Sequence, residues 1–382
     1  MAIYFGSNKV NIKGGSVPTG IIPSGMMDIS ANGVYDITSY ASASVNLEYY
    51  EVYKALAFRS GVNHNLSSFT DFISNLSYVK NNLFLNVDFS SGTYNFNSAV
   101  TIQENAFRSL NPFNGLVTDS YIYNFPLANY IGMSAFYFNG YITEISIPQC
   151  SLISDRAFYQ CTNLRTISGP SCETIGESAF CYCSRLTEVN FSLCKTIKSS
   201  AFTSCRTLTT MYFPQCTSIG GWAFNSCSSL ISANLPSCTY IDNGAFYYCI
   251  SLTTVNASNC SYIGSSAFRA CYSLNSVIFS SCSYIGSFAF TNCRSLSVIS
   301  FPNCSYIGSY AFQSCYNLLS LYLMGSSIPS LVGISVFDST PISNYTTSTG
   351  GVYGSIYVPS SLYTAYTTAT NWNTYASRFV SV

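Results

Sequence analysis

The chain has very little charge. Lys and Arg total 15 of 382 residues, Asp and Glu total 15, and the charged share is 8%. A nucleic-acid partner needs clustered Lys and Arg to displace counterions, so this composition argues against one. Histidine is almost missing: His64 stands alone, in "GVNHNLSS". No G-x-S-x-G, H-E-x-x-H or P-loop accompanies it, so no catalytic residue, metal ligand or cofactor site is expected, and His64 reads as a loop residue in solvent. Long apolar runs are lacking too. Nothing approaches the roughly 20 residues that span a bilayer, and "MAIYFGSNKV" has neither a basic start nor a long apolar core. The expectation is a chain without membrane insertion and without a cleaved secretory signal. Heptads and collagen-like triplets are also missing, which leaves the oligomeric state open. What abounds is hydrophobic side chains, 48% of the total, with 32 Tyr, 27 Phe and 17 Cys.

That abundance is periodic. Ala-Phe dipeptides place Phe136, Phe158, Phe180, Phe202, Phe224, Phe246, Phe268, Phe290 and Phe312 at steps of 22 residues. An Ile stands five positions before each, from Ile131 to Ile307. A Leu stands six after, from Leu164 to Leu318, with Ile142 in the first copy. Nine after comes an apolar residue such as Ile145, Val189 or Met211. Eleven after comes Phe or Leu, with Gly169 and Ala257 as weak copies. One unit reads L-x-x-V-x-F-P-x-C-x-x-I-G-x-x-A-F-x-x-C-x-x.

The V-x-F piece alternates as a strand with one buried face does, and Pro148, Pro214, Pro236 or Pro302 stops it. Gly at six of nine places after the Ile predicts a tight bend. The segment around "SSAFRAC" predicts a helical turn carrying Phe inward. A single unit has too little interior to fold alone, whereas stacked units bury one another's Leu, Val, Phe and Ile. The fold class is therefore a repeat solenoid with a parallel sheet. An irregular copy at Ile102 and Phe107 precedes it, separated from the regular ones by an insertion around 111–119, and a degenerate copy follows at Phe337.

Sixteen of the 17 cysteines obey the repeat, three or fourteen positions after the Phe; Cys181 is the exception. A disulfide framework is the alternative for so cysteine-rich a chain. Equivalent Cys in adjacent coils, about 4.8 Å apart, exceed the usual Cβ separation of a bridge. The odd total and the ladder placement also favour free buried thiols behaving as small hydrophobes. The later Cys closes the strand, where its S–H can satisfy a loop carbonyl. Such thiols imply folding in a reducing compartment.

The phrase L-x-x-V-x-F-P-x-C resembles the leucine-rich repeat consensus, and I-G-x-x-A-F-x-x-C looks like the BspA-like subfamily. The resemblance covers about 102–323 and implies recognition rather than catalysis. The stretch 354–382 is similar to the closing segment of such proteins: a strand at Ile356 to Val358, Pro359 as stop, then a short helix. Ser360 or Ser361 would cap that helix, with Leu362, Ala365, Tyr366 and Ala369 on one face. "NGVYDITSYASASVNLE" resembles a short element of phage and prophage tail and minor structural proteins. The chain then divides into a β-rich attachment segment (1–48), a cap or linker (49–100), the solenoid (101–323) and a C-terminal cap (324–382). In the linker, Phe72, Leu76, Val79 and Leu83 have helical spacing.

The candidate binding residues are the exposed aromatics. Tyr240, Tyr262, Tyr284 and Tyr306 stand six before successive Phe residues. They read either as a contact surface or as rings packing on each other between coils. Trp222 stands at a variable position that also holds Arg156, and Tyr248, Arg269, Tyr272, Arg294 and Tyr316 follow nearby. Trp222 is a hot-spot candidate, or else this variation marks the solvent side of the turn. Tyr212 and Tyr322 lie among the exposed strand positions, a neutral, hydroxyl-rich face that also holds Glu144, Ser146, Thr166, Ser168, Glu188 and Asn190. The resulting expectation is a non-enzymatic virion protein of a phage or prophage, folded in the host cytoplasm and released outside. Its N-terminal segment would meet other virion proteins, and its solenoid a bacterial surface protein or glycan. A BspA-like cell-surface adhesin and a purely structural virion decoration are the alternatives.

Overall fold

A computed structural model describes residues 2–5, 8–11, 73–74, 78–79, 81, 84, 92–109, 118–344 and 350–382. The phage-like segment at 29–48, His64 and most of the 111–119 insertion lie outside them. Two strands, Ala2–Phe5 and Asn8–Asn11, pair antiparallel.

Each repeat closes one coil of a solenoid walled by two parallel sheets. The narrow sheet has twelve two-residue strands, from Tyr78–Val79 to Ser330–Leu331, running unbroken. Its inward position is the repeat's Ile, fully buried in every copy. The broad sheet is built mainly of three-residue strands such as Glu144–Ser146 and Thr166–Ser168, with the middle side chain inward. Between the sheets, Phe84, Phe107, the nine repeat Phe and Phe337 form one stack, with ring centroids 4.7–5.6 Å apart. Both irregular copies therefore belong to the solenoid. So does an earlier coil, in which Val79 takes the Ile place and Phe84 the Phe place. Val79, which the helical spacing put on a helix, is a strand residue paired with Ile102. Phe72, Leu76 and Leu83 lie outside the described residues.

The Ala-Phe segment is not a helical turn. Residues two before and two after each Phe, such as Arg156 and Gln160, have φ near +60°. This left-handed excursion costs a non-glycine residue about 1–2 kcal/mol, and it has a use. It directs the N–H groups of Arg156, Phe158 and Gln160 to the carbonyls of Glu177, Ala179 and Cys181 in the next coil, at 2.7–2.8 Å. A helical turn would bond those groups within itself and leave the coils unjoined on this side.

The repeat glycines also act between coils. Gly132, Gly176, Gly220, Gly264, Gly286 and Gly308 do not have positive φ; a Cβ on any of them would meet the backbone of the preceding coil at 2.5–2.6 Å. They permit close approach rather than a bend.

All 17 cysteines are buried free thiols. Those three after the Phe donate to the Phe carbonyl of the preceding coil, as Cys227 does to Phe202 at 3.2 Å. Asn139 fills this place in the first regular copy, with its amide on the carbonyl of Phe107. Those fourteen after donate to the carbonyl two residues on, as Cys260 does to Tyr262 at 3.1 Å. Burial pushes Cys150, Cys172, Cys216, Cys260 and Cys304 up to about 12. At neutral pH these thiols stay protonated and unreactive.

The broad sheet, unlike the narrow one, is divided. Its segments end at Glu188–Asn190 and Ser276–Ile278 and resume at Thr210–Tyr212 and Val298–Ser300. Each division falls between coils that both carry Phe eleven after the repeat Phe. Phe191 and Phe213 stack at 6.2 Å, as do Phe279 and Phe301. Joined strands lie only about 4.8 Å apart. Val189 and Val277, inward on the strands before the divisions, are only partly buried.

At the C-terminal end Ser355–Val358 and Phe379–Ser381 extend the broad sheet, and a helix spans Tyr363–Thr368. The expected serine cap is absent: Ser360 gives its hydroxyl to the carbonyl of Val382 instead. Tyr366 is buried as expected, whereas Ala365 is exposed. Trp372, Tyr375 and Phe379 complete the seal over Phe337, and the Trp372 indole N–H donates to the carbonyl of Pro329.

Candidate functional site

The candidate aromatics are distributed over three sides of the solenoid. Tyr240, Tyr262, Tyr284 and Tyr306 form a row on the narrow sheet, their rings stacked at 4.6–4.7 Å and within 8° of parallel. Each inner ring has both faces covered by its neighbours. A ligand can reach only the edges and hydroxyls, plus the outer faces of Tyr240 and Tyr306. Partial burial, Asp242 and Tyr262 together push the Tyr240 hydroxyl up to about 12, and that hydroxyl meets the Asp242 carboxylate at 3.3 Å. Tyr212 and Tyr322 lie on the broad sheet, five coils apart. Tyr212 is 59% exposed, while Tyr322 stacks on Tyr357 at 4.4 Å.

Trp222 belongs to the turn side, in the left-handed position before Phe224. Its indole lies over Gly244, where an added Cβ would meet the ring at 2.6 Å. A Gly at that one coil opens the notch that holds the ring flat against the surface, 43% exposed. From Trp222 a continuous run of contacts leads along the turns. Trp222 meets Tyr247 edge-on at 5.2 Å, and Arg269 lies over both Tyr247 and Phe288, the latter stacked on Tyr310. Beside it, Tyr248 meets Tyr272, and Arg294 covers Tyr272 at 4.6 Å and Tyr316 at 5.8 Å. The sequence shows these residues as scattered variable positions. Folding gathers them into one aromatic and arginine-bearing flank across five coils, the residue types that dominate binding hot spots.

A third feature had no single-residue signal. Over the first segment of the broad sheet lies a groove of about 390 Å³, bordered by Ile122, Glu144, Thr166 and Glu188 on one side and Asn124, Ser146, Ser168 and Asn190 on the other. The strand backbone at Ile145, Ile167 and Val189 forms its floor, with the Ile145 and Ile167 side chains turned into the core. Two surface ion pairs lie elsewhere, Lys195 with Glu173 and Lys198 with Asp155, of the kind that contributes little stability. Among the described residues no cluster of His, Cys, Asp or Glu is arranged to hold a metal ion, and no helix is long and apolar enough to cross a membrane.

Stacked coils, two parallel sheets and a leucine, isoleucine and phenylalanine interior define a leucine-rich repeat solenoid. Residues 129–253 and 239–351 match the model of the BspA type leucine rich repeat region in six copies, more than half of the chain, and the protein belongs to that family. No curated protein matches it. Among solved structures, a leucine-rich repeat protein from Bacteroides ovatus is 24% identical over 62% of this chain and 64% of its own length, with a TM-score of 0.50. The chain thus spans less than two thirds of that protein, and the likeness is one of fold. A T. pallidum leucine rich repeat protein is 23% identical over 46% of this chain and 78% of its own, at a TM-score of 0.37. A leucine rich cell surface protein from Faecalibacterium prausnitzii is 19% identical over 65% and 87%, at 0.30.

Proposed function

We propose that the protein is a non-enzymatic recognition component of a phage or prophage particle, its solenoid binding a bacterial surface protein or glycan. The observation that carries the recognition reading is the flank from Trp222 to Tyr316. Large rings and two guanidinium groups are held half-exposed on a scaffold whose coils are joined along the narrow sheet and along the turns. A rigid aromatic surface loses little conformational entropy on binding. The resemblance of 29–48 to phage structural proteins, and an interior of protonated thiols suited to a reducing compartment, support the virion part of the reading.

The test is sedimentation of the full-length protein with whole cells of candidate host bacteria. The expected result is saturable binding that falls at least tenfold in Trp222→Ala/Arg294→Ala, since hot-spot residues each contribute about 2 kcal/mol or more. Equal binding by this variant would remove the flank from the reading. Absence of binding to any host would leave a purely structural virion component.

A further inference from the structure

We propose that the groove over the first broad-sheet segment is a second, separate binding site, and that its ligand is an extended β-linked polysaccharide carrying amino groups. The inference does not depend on the aromatic flank, which lies on another side of the solenoid.

The geometry of the groove follows from the strand pairing. Ile122, Glu144, Thr166 and Glu188 are register partners in consecutive coils, and so are Asn124, Ser146, Ser168 and Asn190. The two rows thus run along the solenoid axis. They lie two residues apart on each strand, roughly 7 Å, and the inward residues Ile145, Ile167 and Val189 lie between and beneath them. Glu144, Thr166 and Glu188 line one wall and Asn124, Ser146, Ser168 and Asn190 the other, over a floor of strand backbone whose Ile145 and Ile167 side chains are turned into the core.

That cross-section matches a β-linked pyranose chain. Its hydroxyl and amino substituents project equatorially to both sides, toward the two polar rows, and its flat ring faces lie on the peptide planes of the strands. Such a chain advances per sugar by close to one strand spacing, about 4.8 Å, so successive sugars meet successive coils. The carboxylates of Glu144 and Glu188 recur two coils apart with Thr166 between them, and no Lys or Arg lines the groove. This charge pattern selects cationic sugars over acidic ones. Two coils place the carboxylates roughly 10 Å apart.

Calorimetric titration of the full-length protein with β-linked glucosamine hexamer, its fully N-acetylated form and a β-linked glucuronic acid hexamer tests this. The expected order is glucosamine over N-acetylglucosamine, with no binding of the acidic chain. Glu144→Gln/Glu188→Gln should weaken the glucosamine hexamer at least tenfold and reduce its preference over the acetylated form. Thr166→Trp, which fills the channel from a half-buried position on its outer wall, should abolish binding of both while unfolding at the wild-type temperature. Failure of both hexosamine chains to bind, preference for the acidic chain, or binding that survives Thr166→Trp would each overturn the proposal. Trp222→Ala/Arg294→Ala should leave these titrations unchanged. Loss of oligosaccharide binding with cell binding intact would therefore sink the groove alone, and the converse would sink the flank alone.

Discussion

The narrow and broad sheets are made by the same coils, yet one runs through twelve strands and the other divides twice. On the narrow side every inward residue among the repeats is Ile, and six glycines let the backbones close together. The thiol of each fourteen-after Cys also bonds a carbonyl of the narrow strand. On the broad side the inward position varies from Ala233 to Met211, and the position two further on varies from Gly169 to Phe191. The narrow wall holds the coils at one strand spacing, so bulk that exceeds it on the broad side has to be relieved there. The lesson is that a solenoid tolerates irregularity on one wall when the other is uniform.

The strongest way to break the uniform wall is alkaline pH. The folded state keeps Cys150, Cys172, Cys216, Cys260 and Cys304 protonated up to about 12, against an ordinary 9.0. Stability is therefore complete below pH 9 and falls as the pH rises from 9 toward 12. Each unit in that window withdraws about 1.4 kcal/mol per thiol. Denaturant unfolding at pH 7 and pH 10.5 should show a loss of several kcal/mol, smaller by about 2 kcal/mol for each thiol removed in Cys150→Ala/Cys172→Ala/Cys216→Ala. An unchanged midpoint would mean the thiols are open to solvent.

Next in size is the ring stack that both walls share. Phe246→Ala removes a fully buried ring with partners at 5.3 and 5.2 Å, and should cost about 3–5 kcal/mol. Coils touch only their neighbours, so the two halves should then unfold in separate steps. A single cooperative transition would contradict that. Gly264→Ala acts on the narrow wall alone. Its Cβ would meet the backbone nitrogen of Asn243 at 2.5 Å, which no rotamer change relieves, and a cost of about 2–3 kcal/mol is expected. The same change at Gly350, with open space around it but positive φ, should cost about 1 kcal/mol.

What the sequence revealed and what it hid divide along similar lines. The Phe, Ile, Leu and Cys ladders were legible because each recurs at a fixed offset and each offset has one fate in the coil. The glycines were legible as a pattern but not in their reason, which lies in the preceding coil. The coil of Val79 and Phe84 was hidden by a step of 23 residues to Phe107 and by apolar spacing that imitates a helix. The cap aromatics Trp372, Tyr375 and Phe379 follow no repeat. The groove has no motif at all, since Glu144, Thr166 and Glu188 become neighbours only when three coils stack. Gly169 and Ala257 read as weak copies. They instead mark a longer period of four coils, Gly169-Phe191-Phe213-Leu235 and Ala257-Phe279-Phe301-Leu323.

That longer period supplies the smallest and most discriminating test. Adjacent Phe residues alone do not divide the sheet: Phe96 and Phe125 stack at 4.5 Å, and their strands stay paired. There the inward strand residues are Tyr94 and Tyr123, themselves in contact at 5.4 Å. At the divisions the inward residues before the gap are Val189 and Val277, which leave the rings free to settle at 6.2 Å. Phe213→Leu removes one ring of a pair and leaves Leu, the residue that already follows at Leu235. The strands Glu188–Asn190 and Thr210–Tyr212 should then join. The lost apolar area, about 1 kcal/mol, is offset by new ladder bonds of about 1 kcal/mol each, so global stability should move by less than about 1 kcal/mol. Amide exchange in Thr210–Tyr212 should slow at least tenfold, with no change at Val298–Ser300, where the second pair is intact. Unchanged exchange at both places would mean that Val189, and not the ring pair, keeps the wall open; Val189→Tyr should then close it.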